Sequence, residues 1–223
     1  MTHQFMPFFR LKVSFRREQM QLHQLIENLK SDSTRNDSLS LLFSVLEAKS
    51  EDLIRALASL ILNPEKISDT NEFASILVKL PSEKYIPKLI DVISVSSPVT
   101  TPWLADYMYV LVDLLQERED CYPAEESFVN LIGSWIFTTG GGEISWKSGD
   151  ILLRLEHPAT KPFFFRGAVD RTLLHLTRIS CFRGIINHYR NDADPIIKEL
   201  LSDPNKHVKT EAINVQKWID SKI

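Results

Sequence analysis

Glu72–Ile93, EFASILVKLPSEKYIPKLIDVI, constrains the fold more than any other stretch of the chain. Apolar residues recur there every three or four positions on both sides of a short turn, the period of two amphipathic helices. The second helix is entered through Ile86-Pro87. Pro195–Ile219, PIIKELLSDPNKHVKTEAINVQKWI, repeats the theme. A helix pair that recurs within one chain points to hairpins stacked into a solenoid, because no single hairpin can bury its own apolar seam.

Helical spacing extends over nearly the whole chain. It predicts about twelve helices, near 15–30, 37–49, 51–62, 70–80, 83–95, 102–117, 124–137, 145–156, 166–180, 182–190, 195–202 and 205–221. Thr101-Pro102, Asp194-Pro195 and Asp203-Pro204 each set a capping side chain before a proline at a helix start, whereas Asn63-Pro64 marks a stop. The seven glycines are few, and three of them, Gly140–Gly142, form the clearest break. No Lys-Ser/Thr follows that cluster at phosphate-loop spacing. No segment shows strand alternation. The expectation is an all-α fold.

Glu72–Ile93 resembles a HEAT-repeat junction. Phe73, Ala74, Leu77 and Leu80 stand where a second helix packs, and Ile86, Pro87, Leu89 and Ile90 look like the opening of the next first helix. Near the C-terminus, Ile196, Ile197, Leu200 and Leu201 are followed by Asp203, Val208, Lys209 and Ala212, similar to that family's leucine-pair, Asp, Val, basic, Ala spacing. The resemblance implies a HEAT-like α-α superhelix of about six helix pairs, 15–49, 51–80, 83–117, 124–156, 166–190 and 195–221. Residues 1–223 would form one domain, with 1–14 an extended N-terminal cap. It also implies that second helices line the concave face.

Charge is unevenly spread. The formal total is −3, yet Ser31–Asn130 holds 17 acidic and 8 basic residues, and Lys161–Arg190 holds six basic residues and one acid, Asp170. On helix 102–117, Asp106, Tyr109, Asp113 and Glu117 share one side, opposite Leu104, Met108, Leu111 and Leu115. Glu47, Asp69 and Glu72 would extend that stripe. It reads either as a solvated surface or as a docking face for a basic protein. Lys147 with Arg154, Arg171 with His175 and Arg178, and Arg183 with Arg190 are expected to form basic stripes that hold anions. HEAT-like DNA glycosylases give that idea a precedent in fold, but the acidic middle of the chain opposes it. Phe163–Phe165 read as core.

Chemistry-bearing motifs are missing. The six histidines form neither HExxH nor zinc spacing with cysteine, and there is no GxSxG elbow. Cys121 sits among acids that disfavour a thiolate, and Glu156-His157 are helix neighbours that point apart. Cys121 and Cys181 lack CxxC spacing and read as reduced thiols. No signal peptide is apparent, and no apolar run reaches the roughly 18 residues of a membrane span. The chain starts on methionine and ends close after its last helix, as a self-contained module would. The expectation is a cytoplasmic, non-enzymatic protein-binding module without cofactor or metal, which holds a basic partner on an acidic concave face. The alternatives are an immunity-type inhibitor of a bacterial toxin and a nucleic-acid binder.

Overall fold

A computed structural model describes residues 82–99, 104–138 and 142–222. These lie in one compact unit, Pro81–Ile223. The expected helices before residue 82, the N-terminal cap and the Thr101-Pro102 start fall outside the described residues.

Eight α-helices account for most of the described chain: α1 Ser82–Ser94, α2 Leu104–Gln116, α3 Glu126–Thr138, α4 Glu143–Leu152, α5 Thr160–Val169, α6 His175–His188, α7 Asp194–Leu200 and α8 Lys206–Asp220. Arg190–Asp192 adds a 3-10 turn. The fold is all-α, with one correction to the expectation of no strand. Tyr122–Pro123 (β1) pairs in parallel with Leu155–Glu156 (β2), each two residues long. The pairing joins the linker before α3 to the linker before α5.

The helices pack as successive pairs: α1 with α2, α3 with α4, α5 with α6, and α7 with α8. First helices also touch in sequence, α1 to α3 to α5 to α7, and second helices likewise, α2 to α4 to α6 to α8. Two parallel rows result, the arrangement expected of stacked hairpins. The four described pairs correspond to the last four of the six expected.

Burial explains the rows. On α2, Leu104, Met108, Leu111 and Leu115 are buried as expected, and so are Tyr107, Val110, Val112 and Leu114. Asp106, Tyr109 and Asp113 reach solvent, with Ala105 and Gln116 beside them, while α1 and α4 pack on the helix. Between α5 and α6 the backbones approach closely. A Cβ on Gly184 would stand 2.5 Å from the Phe164 ring, and one on Gly167 would stand 2.5 Å from Cys181 Sγ. Phe164 is fully buried and Phe163 and Phe165 are half-buried, so one ring of the three sits in the core proper.

Polar ties cross the pairs. Ser145 Oγ donates to the Ile136 carbonyl at 2.7 Å and lies 3.3 Å from Thr177 Oγ1, joining α3, α4 and α6. Arg178 is 3 % exposed. Its Nε donates to the Ala168 carbonyl at 3.1 Å, its Nη1 to Asp203 Oδ1 at 3.2 Å, and its Nη2 to Asp203 Oδ2. One guanidinium thus binds the end of α5 and the start of α6 to the α7–α8 turn.

Several boundaries differ from those expected: α4 ends at Leu152 and not at 156, leaving Glu156 in β2, and Asp194 lies inside α7, whose N-cap is Ala193. The pair over 166–190 turns at 170–174 and not near residue 181, since Asp170 Oδ1 accepts both the backbone N–H of Thr172 and its hydroxyl, closing the turn. Asp203 does not cap the last helix. Asn205 does, accepting from the backbone N–H of His207 at 3.0 Å and of Val208 at 3.4 Å, while Asp203 is taken up by Arg178.

Candidate functional site

The second-helix row brings α2 and α4 side by side, and their solvent-facing residues form one connected cluster. Tyr109 Oη donates to Glu143 Oε1 at 3.3 Å. The Tyr109 and Trp146 rings meet edge to face, 6.2 Å apart at 88°. Lys147 lies beneath both, its Nζ 3.9 Å from the Tyr109 ring centroid and 4.1 Å from that of Trp146. Ammonium over an aromatic face is attracted by the ring quadrupole, more strongly when desolvated, and Lys147 is buried. Its Nζ also reaches Asp150 Oδ2 at 3.4 Å, and Ser180 Oγ of α6 donates to the other Asp150 oxygen at 2.5 Å.

Charge around the aromatic pair does not balance. Lys147 is matched by Asp150. Asp106 and Glu143 have no cationic partner among the described residues. Burial, and then the nearby Glu143 carboxylate, push the Asp106 carboxyl above its ordinary value. Burial and the Glu143 carboxylate raise the Tyr109 phenol as well, with smaller contributions from Asp150 and Asp106. Asp113 continues the stripe in the open, and Glu117 lies one residue past the end of α2, also exposed. Glu47, Asp69 and Glu72 lie outside the described residues.

Spacing alone missed Glu143, Trp146 and Asp150. They follow a three-and-four rhythm on α4, and that rhythm becomes informative only once α4 is seated beside α2.

The basic residues do not form the expected stripes. Lys147 is buried under the aromatic pair. Arg154 falls beyond the end of α4, and its Nε is buried without a hydrogen-bond partner. Arg171 is exposed in the 170–174 turn, Arg178 is buried against Asp203, and His175 opens α6 with its ring stacked on that of His207 at 4.8 Å. Arg183 Nε donates to Glu211 Oε1 at 2.7 Å, and Arg190, in the 3-10 turn, lies 3.7 Å from Asp194. Most cations of this segment are buried or paired within the protein. Among the described residues no group of three or more His, Cys, Asp or Glu is placed to hold a metal ion. Burial and the Asp150 charge push the Cys181 thiol up to about 12, and Cys121 is raised mainly by burial, so neither is activated as a nucleophile. No helix among the described residues is long and apolar enough to cross a membrane.

Compared with known proteins, the chain matches no protein family and no curated sequence.

Proposed function

We propose that this protein is a HEAT-like helical-repeat module, working in the cytoplasm without catalysis, that holds a basic protein partner against its second-helix row. The observation that carries this reading is the pair of carboxylates without a cation among the described residues, Asp106 and Glu143, beside the Tyr109–Trp146 pair. A half-buried Asp106 and an exposed Glu143 beside aromatic rings favour an incoming Arg or Lys, which supplies the missing charge and packs its stem on the rings. The two rows of helices and the Arg178–Asp203 tie between successive pairs support the repeat assignment. With second helices on the concave side, as the resemblance implies, this cluster lies in the groove. A specific form is an immunity-type inhibitor, whose acidic wall would cover the basic active site of a toxin. The nucleic-acid reading is weaker, because Lys147, Arg178, Arg183 and Arg190 are engaged internally.

The test is affinity purification from the native host with the wild type and with Asp106→Lys/Glu143→Lys, each followed by mass spectrometry. A basic protein recovered by the first, released by salt and absent from the second, at equal melting temperature, is the expected result. The same proteins recovered by both would overturn the reading. Because the Asp106 carboxyl is raised, it loses its charge at a higher pH than an ordinary aspartate, and capture should weaken as acid is added before other carboxylates titrate.

A further inference from the structure

The last step of the second-helix row is not closed. Helices α6 and α8 leave between them a groove of about 380 Å³ lined by Arg183, Ile186, Asn187, Asn214, Val215 and Trp218. Trp218 is 47 % exposed. The side-chain amides of Asn187 and Asn214 are exposed and make no hydrogen bond among the described residues. The charges at the rim are unequal. Glu211 is taken by Arg183, which is 55 % exposed, and Lys222, with its Nζ 4.3 Å from the Trp218 ring, has no carboxylate partner among the described residues.

We propose that this groove is a second docking site, which takes an extended peptide segment carrying a large apolar side chain flanked by carboxylates. Each requirement has its own cause. Ile186, Val215 and the Trp218 indole offer an apolar floor, and covering it removes that surface from water. An Asn amide presents a donor and an acceptor together, and pairs with a peptide group whose own N–H and C=O are free, as in an extended segment and not in a helix. Lys222, the rim cation that no described carboxylate matches, selects acid over base. The site differs in sign from the Asp106–Glu143 cluster and stands or falls separately from it.

A displayed library of random short peptides, selected on the full chain and sequenced, tests the proposal. Enriched peptides should pair an aromatic or leucine residue with Asp or Glu. A synthetic peptide of the enriched sequence should bind at least about tenfold more weakly to Trp218→Ala and to Asn187→Ala/Asn214→Ala. Its affinity should be unchanged on Asp106→Lys/Glu143→Lys, the double substitution that disables the other site. Trp218 and both asparagines are exposed, so the variants fold, which circular dichroism verifies. Enrichment of basic peptides, absence of enrichment, or binding that survives Trp218→Ala would each overturn the proposal.

Discussion

Arg178 carries more of the architecture than any other polar residue described. Its guanidinium is bonded at Nε, Nη1 and Nη2 and is almost fully buried, and its partner Asp203 also receives the Asn205 backbone N–H at 2.8 Å. Removing one member of such a pair leaves a buried charge alone, so Arg178→Ala should lower unfolding free energy by about 3–5 kcal/mol. Urea denaturation at pH 7 checks this. Hydrogen bonds from Arg178, and then from Asn205, hold the Asp203 carboxyl below its ordinary value of 3.8. A depressed carboxylate stabilises the fold at pH values above its unfolded pKa, and that contribution fades as pH falls through the lower folded value. The wild type should therefore lose stability below about pH 4, and Arg178→Ala, already lacking the pair, should lose less over the same interval. Equal acid sensitivity of the two proteins would contradict this account.

At the scale of elements, the α5–α6 contact rests on small residues facing large ones. Gly184→Ala should cost about 1–3 kcal/mol, because the new methyl group meets the Phe164 ring and the core resists overpacking. Phe164→Leu added to it should restore part of that loss, and a double-mutant cycle measures the coupling. The cap on α8 is simpler: Asn205→Ala should cost about 1 kcal/mol, read as a lower urea midpoint at unchanged slope. These elements also mark how much the chain disclosed in advance. Six of the eight described helices were legible from apolar spacing to within a few residues, because α1, α2, α3, α4, α7 and α8 carry regular stripes between polar breaks. The α5–α6 pair was misplaced because Leu173, Leu174 and Leu176 continue the apolar rhythm across a real turn. Leu174 and Leu176 prove to be exposed, while Arg178, whose type suggests solvent, is core. The signals overlooked were Pro162 in the first turn of α5 and the Asp170-Arg171-Thr172 turn. Half of the candidate site was legible, namely Asp106, Tyr109 and Asp113 on one helix. The other half, on α4, depends on which helices are neighbours in the stack.

Across the described residues, each pair touches chiefly its sequence neighbours, so stability there is distributed along the stack and not pooled in a single core. Helix α8 buries Val208 and Ala212, whereas α6 buries seven residues, Phe182 and Ile185 among them. Amide exchange measured on the native protein should accordingly be fastest in α7–α8 and slowest in α4 and α6. Arg178→Ala should widen that difference: it removes the tie from α6 to the α7–α8 turn, raising exchange in the last pair while leaving α3 and α4 near their wild-type rates. A uniform rise over all eight helices would mean instead that the pairs unfold as one unit. The same measurement bears on function. The Asp106–Glu143 cluster sits on α2 and α4, which bury eight and six residues, and should present a preorganised surface, whereas the Trp218 groove is walled in part by α8, which buries two. Occupancy of the groove should slow exchange in α8 above all, and a ligand of the acidic cluster should leave α8 unchanged.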